Sequence, residues 1–551
     1  MSVSTPTTGR PTLFLRNATG LVKAWSGFDA FIYSFMSVSL VSLGFGAFGF
    51  VSFVAGGHIL SAVLFSGVFV SFLVITYALL VTAMPRAGGD YTWQSRILGG
   101  GAAFVLSMTG WWFILWHWTP IYAGILNQQV LAPLAATIGR QDWAVLLPGS
   151  LVPNGGNGLF FASLVVVAFV CIYVTLGMET YARIQKFSFY LGIAGLAVMA
   201  AILLFSSGDA MHQAINREAA SLFGYTGTVD AYQATIDLAT KNGYSPSSFN
   251  AFSLGPTLAI VPFLMFYLLW PVWGATLYGE VRGTRDYRRI FTSMFWGLWA
   301  TVILSVVVLL LMAKTIGWEF FEAAAYNNSL GLANQPIPIW PHPVMLAGWL
   351  VNSHVFQFIL LAVMSVWFWG WSGTLFLSST RVIFAAAFDR VLPEWAANIS
   401  AKRRVPYGAL GLMVIPSIVV SAIYAYVSGF EALVLDATLV IAITFLGTVV
   451  AAAILPWRRP TIFNSSPISK IRVAGVPAIT LAAVVTGAFL IFNLVKWFTD
   501  STYGVGFSNP NSLKYLAVLY VLAFVVYVGF FLYRRSQGID LRAIHAEIPV
   551  E

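Results

Sequence analysis

The chain has 551 residues, of which 59% are hydrophobic and 9% are charged, and its mean hydropathy is +0.82. Soluble proteins carry about 25% charged residues, so this composition excludes a soluble globular protein and indicates a chain whose apolar surface is covered by lipid. The formal charge of +9 does not indicate a nucleic-acid partner, because the Lys and Arg residues of a membrane protein collect in its cytoplasmic loops.

Twelve apolar runs are long enough to cross the hydrocarbon core, which takes about 20 helical residues. The first begins near Ala30, after a polar and weakly basic N-terminal segment, and it is too long for the apolar region of a cleavable signal. An even number of spans places both termini on the same side of the membrane. The predicted spans are 30–53, 59–83, 102–127, 159–177, 187–206, 256–279, 290–313, 355–379, 406–427, 434–456, 474–496 and 513–533.

The basic residues predict which side the termini occupy. With the N-terminus in the cytoplasm, 23 of the 29 Lys and Arg residues lie in cytoplasmic segments, so the positive-inside rule predicts that both termini are cytoplasmic. The six that fall outside are Arg140, Arg217, Lys241, Lys314, Lys496 and Lys514. The outer segment 314–354 predicts a short amphipathic helix followed by a Pro-rich stretch.

Two spans contain residues that interrupt a membrane helix. The first span has serines at positions 34, 37, 39 and 42, followed by glycines at 44, 46 and 49. The sixth span carries Pro271 and Gly274 at mid-membrane, and proline removes a backbone donor and clashes with the preceding turn. Such breaks are tolerated mainly beside a protein-lined or wet cavity. The alternative interpretation is that these small residues allow close helix packing.

The two interruptions are five spans apart, so two five-helix units would have opposite topologies. This pattern is typical of an inverted repeat whose substrate lies between half-helix ends. Tryptophan clusters at 111–118 in span three and 367–371 in span eight repeat the relationship. The predicted segments are a cytoplasmic N-terminus 1–25, a first five-helix repeat 26–206, an extracellular loop 207–255, a second five-helix repeat 256–456, a cytoplasmic loop 457–473, helices eleven and twelve 474–533, and a cytoplasmic tail 534–551.

Three cytoplasmic stretches contain recognisable motifs. Met84-Pro-Arg-Ala-Gly-Gly-Asp90-Tyr91 follows span two, and Gly279-Glu280-Val-Arg282 follows span six. Ser379-Thr-Arg381 leads, after span eight, to Phe388-Asp389-Arg390-Val-Leu-Pro393 and Val405-Pro406. These stretches resemble the M-P-R-[AS]-G-G-x-Y, G-E-[VI]-[KR] and S-x-R…A-x-D-x-x-L-P…x-P patterns of the amino acid–polyamine–organocation superfamily of transporters.

The resemblance covers about residues 20–455 and implies an all-α membrane fold of the LeuT type. That fold has a five-plus-five inverted repeat with discontinuous helices one and six, here followed by two further helices to make twelve. The implied function is a permease that moves amino acids across the cell membrane by alternating access, as a symporter or antiporter without a cofactor. Polyamines or other small organic solutes stay open as substrates, and so does the oligomeric state.

The two breaks provide the candidate substrate site. Free amides at the first break would bind a carboxylate, carbonyls at the second would bind an amine, and aromatic rings would cover the substrate. The superfamily's glycine-rich stretch in helix one is displaced here to 44 and 46, which weakens the case for an α-amino acid. The candidate residues are Ser37, Val38, Ser39, Ser42 and Gly44 in span one, and Phe266, Tyr267 and Trp270 in span six.

Coupling to an ion has several candidates. Glu280, beside Arg282, is either part of an inner gate or a surface charge, and Asp436 in span ten is either a proton site or a group that reaches outer water. The hydroxyls of Ser372, Thr374 and Ser378, with that of Ser379, would suit a sodium ion, unless they bond back to their own helix. Span five lacks the lysine that some proton-coupled relatives carry.

Other polar residues have simpler interpretations. Ser26 and Asp29 form a capping box before span one, and His117 is a packing histidine in preference to a proton relay. Cys171 is the single cysteine, which excludes an internal disulfide and a cysteine zinc cluster. The chain has no Walker loop, zinc-protease motif or nucleophile elbow, so an ATP-driven pump and a membrane-embedded enzyme are disfavoured, and tryptophan-rich central helices favour occlusion over an open channel.

Overall fold

The computed structural model describes residues 21, 23–144, 156–427, 430 and 434–547. Most of the predicted N-terminal segment 1–25 and the last four residues of the predicted tail lie outside the described residues. The long helical runs are α1 (Gly27–Phe53), α2 (Ile59–Ala83), α3 (100–137), α4 (Gly156–Thr175), α5 (Met178–Phe205), α6 (Leu254–Glu280), α7 (Tyr287–Thr315), α8 (His354–Phe388), α9 (Tyr407–Tyr426), α10 (Val434–Arg458), α11 (Ala478–Thr499) and α12 (Pro510–Ser536).

All of these runs except α3 have the length and hydropathy of a membrane-spanning helix, which gives 11 candidate spans in the described part of the chain. The run α3 contains the third predicted span and is built from Gly100–Met108, Ile114–Leu126 and Ala132–Thr137, joined by π-helical turns. Its tryptophan, histidine and amide side chains lower its hydropathy. Single π-helical turns inside helices occur frequently at functional sites.

Shorter elements connect the long helices. Gly89–Ile97 lies between α2 and α3, Gly208–Phe223 and Ala231–Lys241 lie between α5 and α6, and Trp318–Ser329 and Pro343–Trp349 lie between α7 and α8. A short helix is therefore present in 314–354, as predicted, but eight of its 12 residues are buried. The remaining elements include Pro460–Ser465, the antiparallel two-residue strands Arg472–Val473 and Val476–Pro477, and the terminal helix Leu541–Ala546.

Both predicted helix interruptions are present. In α1 the α-helix Gly27–Val38 ends at Ser39, whose φ of 43° and ψ of 80° place it in the left-handed region, and a π-helical turn Leu40–Gly44 follows. In α6 the α-helix ends at Leu268, a turn at Pro271 follows, and the chain continues as a 3₁₀ helix, Trp273–Glu280. Each run therefore consists of two helical segments joined at a break.

The interrupted helices lie at the centre of the molecule. Within the most apolar 18-residue stretch of each helix, 89% of the stretch is buried in α1, 83% in α6 and 17% in α12. The first two are enclosed by other helices, whereas α12 lies at the periphery. Because α1 and α6 are mostly buried in protein, the free backbone groups at the two breaks are kept from lipid.

Candidate functional site between the interrupted helices

A small cavity lies between the two breaks. Four helices contribute to its wall, and none of the lining side chains carries a formal charge. The lining residues are Ser37 and Leu43 from α1, Trp118 and Tyr122 from α3, Trp270 and Trp273 from α6, and Trp371, Thr374 and Leu375 from α8.

The α1 break supplies backbone groups to this region. Ser37 lines the cavity and donates its hydroxyl to the Tyr33 carbonyl at 2.7 Å. Ser39 is fully buried, and its hydroxyl has no hydrogen-bond partner among the described residues. Its carbonyl accepts from the amides of residues 43 and 44, whereas the amides of residues 40–42 begin a new helical segment and have no intrahelical partner.

The other predicted α1 residues support the break and do not line the cavity. Val38 is fully buried, and the Ser42 carbonyl accepts from Gln129 Nε2 at 3.0 Å. A Cβ at Gly44 would lie 3.3 Å from the Tyr267 ring, so glycine permits the close approach of α1 and α6. These residues hold the half-helices in place.

The α6 break is capped by its own tryptophan. The Trp270 indole N–H donates to the Phe266 carbonyl at 2.7 Å, which satisfies one of the carbonyls left free at the end of the first half-helix. Phe266 stacks on Trp118, with ring centroids 5.7 Å apart, and so lies behind the cavity wall. The Tyr267 hydroxyl is directed away from the cavity and donates to Ser305 Oγ on α7 at 3.4 Å.

Interlocking aromatic rings form most of the wall. Trp270 meets Trp118 edge-on at 5.7 Å and Trp273 edge-on at 5.4 Å, and Tyr122 stacks on Trp371 at 3.7 Å. Residues 118, 122, 273 and 371 were not among the sequence candidates. The paired tryptophan clusters of spans three and eight are a sequence signal for Trp118 and Trp371. The sequence contains no such signal for Leu43 and Leu375.

The hydroxyls on α8 are all engaged within the protein. Ser372 and Thr374 bond back to the carbonyls three residues earlier, at 3.1 and 2.8 Å. Ser378 donates to the Trp273 carbonyl at 3.1 Å and pairs with the Tyr33 hydroxyl at 2.7 Å. Of the three, Thr374 lines the cavity, and Ser378 ties α8 to α1 and α6.

Glu280 forms a buried ion pair with Arg381. Arg381 Nε lies 2.8 Å from Glu280 Oε1 and Nη2 lies 3.3 Å from Oε2, and both side chains are 1% exposed. Arg282, the neighbour considered from the sequence, is exposed and donates to the Lys23 carbonyl. The interpretation of Glu280 as a surface charge is therefore wrong, because the fold brings α8 over the end of α6.

Asp436 is fully buried, and Ser512 of α12 donates to it at 2.5 Å. The interpretation that it reaches outer water is wrong, because α12 covers it.

The Ser26–Asp29 capping box is present, and Asp29 also pairs with Lys186 of α5 at 2.6 Å. His117 lies 3.0 Å from the Tyr515 hydroxyl within an aromatic cluster, as expected for a packing histidine.

Comparison with known proteins identifies the family. A family model described as amino acid permease matches residues 28–525. The low-affinity putrescine importer PlaP is 27% identical over 172 residues in Escherichia coli K12 and in E. coli O157:H7. That similarity covers 30% of this chain and 36% of the importer, so it spans about a third of those relatives. Because the family model spans most of the sequence, the chain belongs to the amino acid permease family, and its candidate spans make it a multi-pass membrane protein.

Proposed function

We propose that this protein is a secondary active transporter that carries a small neutral amino acid by alternating access, with the substrate held in the cavity between the α1 and α6 breaks. The observation that carries this proposal is the lining of that cavity, which combines two helix breaks with uncharged aromatic and hydroxyl side chains. A zwitterionic amino acid carries a carboxylate and an ammonium group, and backbone dipoles at the half-helix ends can stabilise both charges.

Each charge of an α-amino acid has a matching group. The amides of residues 40–42 lie at the positive end of the second α1 segment and suit the carboxylate. The carbonyls at the end of Leu254–Leu268 lie at a negative end and suit the ammonium group. The faces of Trp270, Trp273 and Trp371 can add a cation–π contribution to the same ammonium group.

The membrane topology we propose counts α3 as a span, which gives twelve spans. In this arrangement α1–α5 and α6–α10 are the two inverted five-helix repeats, and α11 and α12 lie outside them. The interruption of the first helix in each set supports the repeat, as does the peripheral position of α12. The bias of basic residues supports cytoplasmic termini.

On this topology, two ion pairs close the cytoplasmic side, of which the first is buried and the second is partly exposed. Glu280 with Arg381 joins α6 to α8, and Asp29 with Lys186 joins α1 to α5. Opening toward the cytoplasm would separate these helix ends, so we propose that both pairs belong to the inner gate.

Polyamine transport is the alternative, and the similarity to the putrescine importer favours it. A diamine would place two ammonium groups in the cavity. Among the described lining residues there is no carboxylate to neutralise them, and burying an unpaired charge is costly. A neutral amino acid therefore fits this cavity better than a diamine.

Uptake into proteoliposomes distinguishes the two substrates. The purified protein is given radiolabelled L-alanine, L-leucine, L-glutamate, L-arginine and putrescine separately, with protein-free liposomes as the control. We expect saturable uptake of L-alanine or L-leucine that excess putrescine does not inhibit. Uptake of putrescine alone would establish polyamine transport. If none of the five compounds were taken up, both the amino acid proposal and the polyamine alternative would be contradicted.

A further inference from the structure

The short helix Gly89–Ile97 contains a buried carboxylate that forms no salt bridge among the described residues. Asp90 is fully buried, and its Oδ1 accepts from the hydroxyl of Tyr77 on α2 and, at 2.5 Å, from that of Thr448 on α10. Its Oδ2 accepts from the indole N–H of Trp111 on α3 at 3.1 Å. All three donors are neutral, whereas Asp29 and Glu280 each face a basic side chain.

The surroundings of Asp90 can accommodate both protonation states. Hydroxyls can donate or accept, so a proton on Oδ1 could be donated to Tyr77 or Thr448 after one hydroxyl rotates. The indole N–H of Trp111 can only donate, so Oδ2 stays an acceptor in either state. Burial raises the pKa of Asp90 to about 6, against the opposing effect of its hydrogen bonds, which places its titration close to neutral pH.

One tryptophan connects this carboxylate to the cavity. The Trp111 ring lies 4.3 Å from the ring of Trp273, which lines the cavity and donates its indole N–H to the Thr374 carbonyl at 3.1 Å. A substrate that shifts the Trp273 ring would therefore also shift Trp111 and change the geometry of its hydrogen bond to Asp90.

The backbone next to Asp90 is fixed to the second half of α6. The Gly88 amide donates to the Thr276 carbonyl at 3.0 Å. A Cβ at Gly89 would lie 3.1 Å from the Thr276 backbone, and the φ of Gly89 is +41°. This close approach means that α6 cannot move far at its cytoplasmic half without changing the environment of Asp90.

We propose that Asp90 is the binding site of the proton to which transport is coupled. This inference rests on the proposed function and adds the coupling ion to it. In the proposed symport, water on the outer side supplies the proton, and Oδ1 of Asp90 holds it while the substrate is bound. When the second half of α6 moves, the proton is released to water on the cytoplasmic side.

Other ionisable groups near the short helix have partners of their own. Ionisable groups on or next to the elements packed against it include Tyr77, Glu280, Arg381, Asp389, Arg459 and His545. Glu280 pairs with Arg381, and Asp389 pairs with Arg96 of the short helix at 2.5 Å. Arg459 donates to the Arg96 carbonyl, and His545 lies 3.2 Å from the Tyr91 hydroxyl. Tyr77 is the titratable group among them that hydrogen-bonds to Asp90.

Asp90→Asn tests the proposal, because it keeps the size of the side chain and removes the titratable group. Proteoliposomes are loaded with unlabelled L-alanine for counterflow, or given an outside-acidic proton gradient for accumulation, with putrescine as the probe if only the diamine is taken up. We expect the gradient to raise wild-type accumulation several-fold, and the variant to keep counterflow and lose this stimulation. Stimulation that persists in the variant would overturn the proposal.

The wild-type protein separates the two proposals. Wild-type counterflow that is insensitive to the gradient would remove the proton site and leave the proposed function standing. Absence of counterflow with every probe would contradict the proposed function itself. A loss of stimulation in Asp436→Asn together with its retention in Asp90→Asn would move the proton site to α10 and so overturn the assignment to Asp90.

Tyr77→Phe supplies a second test that does not depend on the folding of Asp90→Asn. Removing a donor to the ionised carboxylate raises the pKa of Asp90, so the pH of half-maximal uptake should shift upward by roughly half a unit to one unit. Tyr190→Phe, on the exposed face of α5, is the matched control and should leave the profile unchanged. An unshifted or downward-shifted profile in Tyr77→Phe would contradict the proposal.

Discussion

Ser39 holds a backbone conformation that glycine adopts more easily. Its φ of 43° costs a residue with a Cβ about 1–2 kcal/mol. This strained residue is located at the α1 break, next to the cavity. Strain of this kind persists where the surrounding structure fixes it, and it is concentrated at functional sites.

Two substitutions at this position separate backbone strain from the loss of the hydroxyl. Ser39→Gly and Ser39→Ala both remove the buried hydroxyl, but only glycine relieves the left-handed backbone. We expect the glycine variant to be more stable than the alanine variant by about 1 kcal/mol, measured as a higher melting temperature in detergent. Equal melting temperatures would show that the break is not strained at Ser39.

The Glu280–Arg381 pair is a second residue-scale feature with a testable cost. Removing one partner leaves the other charge buried and uncompensated, so Glu280→Gln should destabilise the protein by about 3–5 kcal/mol. Adding Arg381→Met should restore part of this loss, because no charge is then left unpaired. Thermal unfolding of the single and double variants gives the comparison.

The exposed pair Glu179–Arg183, 3.7 Å apart on one helix face, is the matched control. Exposed pairs contribute little, so Glu179→Gln should leave the melting temperature unchanged. If the double variant at positions 280 and 381 were no more stable than Glu280→Gln, the pair would not act as a unit.

At the scale of elements, the outer helix Trp318–Ser329 contains a buried carboxylate of its own. Glu322 accepts from the Tyr244 hydroxyl at 3.2 Å and from the Ser247 amide at 3.0 Å. Burial raises its pKa to about 7, so between its ordinary value and pH 7 the folded state holds a proton that the unfolded state lacks. Stability from this group is therefore greatest at acidic pH and falls as the pH rises toward 7.

Glu322→Gln should flatten this dependence, because the amide cannot ionise. We expect the fall in melting temperature between pH 5 and pH 8 to be smaller, by about a few degrees, in this variant than in wild type. Glu319→Gln, exposed on the same helix, should behave like wild type. A wild-type melting temperature that rises over this range in step with that of Glu322→Gln would contradict the assignment.

The helix breaks were predictable, whereas the rest of the cavity wall was not. A Ser- and Gly-rich run and a Pro-Gly pair are local signals, so Ser37 and Trp270 could be chosen from the sequence. Trp118 and Trp371 reach the cavity from two further helices, and the pairing of Glu280 with Arg381 joins residues 101 positions apart. Such contacts depend on tertiary packing, which the order of residues along one helix does not encode.

Helix lengths show a similar limit. The apolar run of the fifth span begins at residue 187, but α5 begins at Met178, because Arg183 and Lys186 continue the helix past the apolar segment. The π-helical turns of α3 had no counterpart in the sequence interpretation, since their residues fit an ordinary helix equally well.

At the scale of the whole molecule, the proposed orientation follows from charge alone and can be tested by labelling. After replacement of Cys171, single cysteines at Asp230 and Ser329 should react with an impermeant thiol reagent from outside intact cells. Cysteines at Arg288 and Lys402 should react only after the membrane is opened. Outside labelling at either of the last two positions would reverse the topology.

The proposed transport function depends most on the position of the substrate site. Ser37→Trp places a large ring in the cavity between the two breaks, whereas Ser536→Trp adds the same ring at the exposed end of α12. The decisive measurement is the initial rate of L-alanine uptake against concentration for both variants, after thermal unfolding has shown that both are folded. We expect Ser37→Trp to lose saturable uptake and Ser536→Trp to keep the wild-type rate. Uptake by Ser37→Trp with an unchanged KM would show that the substrate site lies elsewhere.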